Sequence, residues 1–180
     1  MGIDPSINST GLCINKDNKY IYIIVVGKMT KKMREFEHND IHIKCYNKLE
    51  TNKLEYSEKE YIKTTNIRGI CDIIEDVIKQ YDVTHVNMEG ISYGSVGSAA
   101  LADLAGLNFA IRYVLSKNNI SFSIIPPTGL KKFAVANGSA DKDLMTYAWL
   151  TMEPEMKDIQ NIKIDDLADA YFLARYENNP

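Results

Sequence analysis

The sequence predicts an α/β fold, and three observations carry that prediction. Tyr20 to Val26 (YIYIIVV) is a β-branched and aromatic run with strand character. Ile70, Ile73, Ile74, Val77 and Ile78 recur at helical spacing over 67–81. His85 to Met88 then reads as a short strand. A helix between the two strand sets fits a right-handed crossover, which makes the later strand a parallel neighbour of the first.

The first stretch, MGIDPSINSTG, places an acidic residue where a strand leaves the sheet. Asp4 ends a very short apolar run, and Pro5 has no N–H to continue a ladder. Ser6 to Gly11 reads as a turn of small polar residues, with Gly11 free to take a positive φ. LCIN and YIYIIVV follow as strands. Strand ends of this kind are where open α/β sheets put their chemistry. An ordinary Asp-Pro turn is the plain alternative for Asp4 alone.

Composition narrows the field. The 180 residues are expected to form one domain, 1–180, with 45% apolar and 25% charged residues. The expectation is that no apolar run approaches the ~20 residues of a bilayer span. The start lacks a basic-then-apolar leader pattern, so a cytoplasmic location is expected. Cys13, Cys45 and Cys71 are widely spaced, without C-x-x-C, and read as reduced structural cysteines. The net charge of −3 argues against non-specific coating of nucleic acid, yet charge is segregated. Lys28, Lys31, Lys32 and Arg34 cluster, as do Lys131, Lys132 and Lys142, while acids gather from Glu153 to Asp169. Each basic cluster is either a solvated face or a DNA contact.

Residues 29–66 are polar and weakly periodic, though Ile41, Ile43 and Cys45 alternate as in a short strand. Leu54 to Tyr61 is a loop or the start of a helix. His38 and His42 are spaced i, i+4 without the glutamate of HExxH, and read as surface histidines. The strand at 85–88 delivers Glu89 to its exit, followed by Gly90 and a flexible turn from Ser92 to Ser95. If that strand neighbours the first, Asp4 and Glu89 sit roughly 5 Å apart. Ser98 to Ser116 is a helix rich in Ala and Gly, suited either to packing on its own sheet or to a two-fold dimer contact. Ser121 to Ile125 is a further strand ended by Pro126-Pro127. Thr128 is a candidate cap for a short helix through Phe133, and Ser139 for one running to Met152. Lys142 falls in the first turn of the latter helix, where backbone N–H groups also favour phosphate.

The last element, KIDDLADAYFLARY, opens with Asp165, Asp166 and Asp169. The helix dipole explains acidic residues in a first turn, but not Asp169, a turn inside an apolar stretch. Both Asp165 and Asp166 share a face with Asp169, and spacing does not choose between them. We take Asp165 as the cap and Asp166 with Asp169 as the working pair. Four gathered carboxylates repel one another and call for cations. Oxygen ligands without His or Cys select Mg²⁺ or Mn²⁺. Two such ions ~4 Å apart suit phosphodiester hydrolysis.

Four motifs in this order resemble the RuvC family of Holliday junction resolvases: GIDPSINSTG, NMEG, GSADK and DDLADAYFLA. The resemblance covers nearly the whole chain. It implies an RNase H-like fold: a mixed five-stranded sheet, its first three strands antiparallel and the remainder parallel, flanked by helices. It implies a crossover junction endonuclease that nicks four-way DNA junctions in pairs, leaving 5′-phosphate and 3′-hydroxyl ends. Asp4, Glu89, Asp166 and Asp169 would be catalytic and hold two Mg²⁺ ions per site (Mn²⁺ being the alternative), with Lys142 catalytic beside them. Lys131, Lys132 and Lys142 would meet DNA, joined by Lys31, Lys32 and Arg34. Tyr93 stands beside the position of a family aromatic and would stack on an unpaired base. The family pairs as a homodimer through the helix after the glutamate strand, here Ser98 to Ser116. A phage-type member is one reading, and a branch-migration motor partner stays open. Two other classes compete. An actin-like phosphotransferase needs two lobes and more chain than this. A non-catalytic junction-binding protein would show affinity without metal-dependent cutting.

Overall fold

In the computed structural model, residues 18, 92–96, 160–161, 163–164 and 178–180 and the side chain of Ser98 lie outside the described residues. The Ser92–Ser95 turn, and Tyr93 with it, falls there. The chain runs β1 (Gly2–Asp4), β2 (Ser9–Lys16), β3 (Lys19–Val26), α1 (Lys31–Arg34), β4 (Ile41–Cys45), α2 (Tyr56–Gln80), β5 (His85–Glu89), α3 (Ser98–Lys117), β6 (Ser121–Ile125), α4 (Pro127–Val135), α5 (Lys142–Met152) and α6 (Asp165–Arg175). The strands form one sheet in the order β4-β3-β2-β1-β5-β6. β2 is antiparallel to both β1 and β3, while β4 on β3, β5 on β1 and β6 on β5 are parallel.

This is the expected mixed sheet with six strands rather than five. The added strand is β4, whose Ile41 is buried and whose backbone pairs with Tyr22 to Val26 at the open edge of β3. Exposed strand edges are open to unwanted pairing, and this one is covered by the chain itself.

Side-chain alternation divides the core. Ile3, Leu12, Ile14, Ile23, Val25, Val86 and Met88 face α2 and α3. Cys13, Tyr22, Ile24 and Val26 face α5 and α6, where the Trp149 indole N–H donates to Tyr22 Oη at 3.1 Å. The period of two puts Gly2 and Asp4, and likewise Asn87 and Glu89, on the α6 side. Three chain segments sharpen or correct the local reading. Of the two readings of Leu54 to Tyr61, the helix start holds: α2 begins at Tyr56, where Glu55 and Glu58 form a reciprocal capping box. Pro126, not Thr128, precedes α4, with Pro127 supplying the fixed φ of a first helical residue. Asp141, not Ser139, caps α5, accepting the Leu144 N–H at 2.9 Å.

α3 also corrects the reading of apolar run lengths. Ala99–Lys117 spans 19 residues of mean hydropathy 1.2, long and apolar enough by those two measures to cross a membrane. Its Leu107, Ile111 and Leu115 are core residues. Ala102, Gly106, Phe109 and Tyr113, at helical spacing, are exposed.

Candidate active site

Glycine sets how closely α6 lies on the sheet. A Cβ on Gly11 would stand 2.1 Å from the Asp166 carbonyl oxygen, and one on Gly2 would stand 2.0 Å from that of Ala170. Gly11 is therefore a close-approach residue inside β2, not a positive-φ turn residue; the described glycines include none with positive φ. With both side chains absent, the first turn of α6 reaches the end of β1.

Asp4 is the last residue of β1, and Glu89 the last of β5. The register pairs Gly2 with Asn87 and Ile3 with Met88, so Asp4 falls beside Glu89. Asp4 is 8% exposed and Asp166 6%. Burial, then repulsion from Glu89, Asp169 and Asp166, holds the Asp4 carboxyl well above the usual range. Burial and Asp169 push Glu89 up to about 7, although a hydrogen bond with Asp4 works the other way. Burial also raises Asp169 to about 6, against the pull of Lys142. Burial and mutual repulsion thus disfavour ionisation of both Asp4 and Glu89 at once, because the two carboxyls lie side by side. The cluster joins two adjacent strand ends and one helix start, as the sequence reading expects.

The cations near the cluster are Lys131 and Lys142. Both lower Glu89 and Asp169. Lys142 Nζ lies 2.9 Å from Asp165 Oδ2 and 3.8 Å from Asp166 Oδ1. Asp165 is the first residue of α6, and its carboxylate takes this ammonium, which the reading of it as a cap did not foresee. Lys132 packs along Gly138. Lys31, Lys32 and Arg34 lie on the exposed α1. Lys31 is 3.8 Å from Glu35, and Lys32 lines a cavity of about 420 Å³ with Glu35, Glu37, Glu155 and Asp158.

Two residues that hold the site were not singled out in the sequence. Asn108, buried in α3, donates from Nδ2 to the Glu89 carbonyl at 3.0 Å and fixes the strand exit. Asn87 Nδ2 donates to the carbonyls of Leu173 and Tyr176, at 3.0 and 2.8 Å, and ties the far end of α6 to β5. A lone amide within the mostly apolar α3, and a polar residue within a buried strand, were the available signals.

All four carboxylates are oxygen donors, and the crowding that raises Asp4, Glu89 and Asp169 is one a dication would relieve. That chemistry fits a hard divalent ion. Among the described residues, no three His, Cys, Asp or Glu side chains already stand arrayed around one point.

A mixed sheet with carboxylates at the ends of its central strands, faced by a C-terminal acidic helix, defines an RNase H-like fold. The chain belongs to the RuvC family: the family model described as crossover junction endodeoxyribonuclease RuvC matches residues 1–175. It is therefore a junction-resolving endonuclease. Among solved structures it resembles Thermus thermophilus RuvC, at 14% identity and TM-score 0.57, over 96% of this chain and 89% of that one. T. thermophilus RuvC in complex with Holliday junction substrate gives 14% identity and TM-score 0.58, over 96% and 88%. The yeast mitochondrial Holliday junction resolvase Ydc2 gives 13% and 0.49, over 96% and 74%. At these identities the likeness concerns the fold. No curated protein matches the sequence.

Proposed function

We propose that this endonuclease resolves four-way junctions by Mg²⁺-dependent paired nicking, with Asp4, Glu89, Asp166 and Asp169 as the ligands of two ions. Mn²⁺ would serve in the same place. The observation that carries this is the convergence of Asp4, Glu89 and Asp169, each raised by burial, Asp4 also by Glu89 and Asp169, and Glu89 by Asp169. Such a cluster is costly to the fold unless positive charge enters it. When bound, a pair of divalent ions supplies an activated water and stabilises the leaving 3′ oxygen.

The side chains do the rest. Asp4 and Glu89, side by side at their strand ends, would hold the ions in their ionised form. Asn108 holds the Glu89 backbone in place for this. Lys142, at the first turn of α5, meets the phosphate of the strand being cut, and Lys131 draws the strand in. Water adds to phosphorus and the P–O3′ bond breaks, which leaves a 5′-phosphate and a 3′-hydroxyl.

A two-fold substrate calls for a two-fold protein. The exposed stripe of Ala102, Gly106, Phe109 and Tyr113 on α3 supports a homodimer through that helix. Its small residues are not spent on packing against their own sheet. The test is a labelled immobile four-way junction incubated with pure protein, with and without Mg²⁺. Paired nicks near the crossover are expected. Equal cutting of flaps and forks would favour a broader branched-DNA nuclease. Intact DNA at saturating protein with either metal would favour a non-catalytic binder.

A further inference from the structure

We infer that Asp165 is a positioning residue for Lys142: it anchors the ammonium at the mouth of the carboxylate cluster and keeps it from closing on Asp166. The inference rests on the reading of Asp166 as a metal ligand given above.

Asp165 and Asp166 are consecutive in α6, so their side chains leave the helix about 100° apart. They are therefore given different surroundings. Asp166 is buried in the cluster, with its side chain 9% exposed, while that of Asp165 is 30% exposed and turned to α5. Lys142 stands between them. Its short contact, 2.9 Å, goes to Asp165, and its long one, 3.8 Å, to Asp166. Its backbone is fixed too, because Lys142 follows the Asp141 cap.

The pair does little for the fold. Lys142 is 66% exposed, and ion pairs of that kind contribute little to stability. Its effect is directional. Lysine is a compact charge on a flexible stem, and it settles on the nearest anion. With Asp165 neutralised, Asp166 is the carboxylate already within its reach. An ammonium seated there opposes any cation for the same oxygens. With Asp165 in place, the ammonium waits at the rim, where a DNA phosphate would arrive.

Mn²⁺ binding to the DNA-free protein, followed by calorimetry, tests this. The proteins compared are wild type, D165N, D165E, K142Q and the double variant D165N/K142Q. D165N is expected to bind Mn²⁺ about tenfold more weakly, the scale of one charge-assisted hydrogen bond misdirected. D165E should recover most of that loss, and the double variant should bind at least as tightly as wild type. On junction DNA at saturating Mg²⁺, D165N should lower kcat with little change in KM, at an unchanged melting temperature. Equal weakening in D165N and the double variant would overturn the inference, since Asp165 would then act without Lys142. A lowered melting temperature in D165N that accounts for its losses would also overturn it. Wild-type protein that binds no Mn²⁺ would instead bring down the metal reading, and this inference with it.

Discussion

β5 and α6 run side by side, and their two ends are opposites. At the lower end, polar groups are satisfied. His85 Nδ1 pairs with Ser121 Oγ at 2.8 Å and His85 Nε2 with Asn87 Oδ1 at 3.1 Å, while the Asn87 amide donates to two carbonyls where α6 ends. The last carbonyls of a helix lack intrahelical partners, and here the Leu173 carbonyl also takes the Tyr176 N–H, at 3.1 Å. At the upper end, four residues along the same strand, Glu89 meets Asp4 and the first turns of α6, and like charges are pressed together. The same two elements are anchored at one end and electrostatically frustrated at the other. The lower end lets the upper end exist: α6 is held by hydrogen bonds where nothing is asked of it chemically, so it does not retreat from repulsion at its start.

Four experiments break or sharpen this contrast. The largest effect is expected at the upper end, where Asp4→Asn should lower junction nicking about a thousandfold or more while junction affinity stays within about threefold. Gel-shift and cleavage assays on one preparation read both quantities, and parallel loss of both in a folded protein would count against the contrast. Next come the contact glycines. Gly11→Ala and Gly2→Ala each drive a methyl into the α6 backbone and should each cost about 3 kcal/mol in denaturant unfolding. Unchanged midpoints would mean that α6 does not lie as close to the sheet as described.

A smaller loss, about 2 kcal/mol, is expected for Asn87→Ala, which removes the donor to the Tyr176 carbonyl and one of two donors to that of Leu173. Here nicking per folded molecule should hold, the reverse of Asp4→Asn. The smallest effect is a pH dependence confined to the metal-free protein. Glu89 is raised from 4.5 to about 7 and Asp169 from 3.8 to about 6, so between those limits the folded chain binds more protons than the unfolded one. The stability these two groups contribute is therefore full below about pH 4 and falls as pH rises from there through 6 to 7. A drop in melting temperature of about 5 °C from pH 5 to pH 8 is expected, reversed by Mg²⁺. A flat profile without metal would remove the upper end's claim to frustration.

The carboxylates were legible in the sequence because each sits at a boundary that local rules mark. Pro5 follows Asp4, a glycine follows Glu89, and Asp169 interrupts an apolar helical stripe. The crossover helix made Asp4 and Glu89 neighbours before any coordinates. What escaped was tertiary. Gly11 looked like a turn glycine because a sequence shows flexibility but not the helix laid over it. Asp165 looked like a cap because its partner is 23 residues away on another helix. β4 was legible as alternation, yet its place at the edge of β3 depended on an open edge that no local pattern reports. Caps were misplaced by two residues at both Pro126 and Asp141, where several adjacent residues qualify and packing decides.

The most direct test of the central claim is the anomalous scattering of Mn²⁺ in crystals of the wild-type protein. The account predicts two ions ~4 Å apart among Asp4, Glu89, Asp166 and Asp169, with the Asp4–Glu89 hydrogen bond gone. Crystals with Mn²⁺ bound elsewhere, and that hydrogen bond intact at saturating metal, would contradict it.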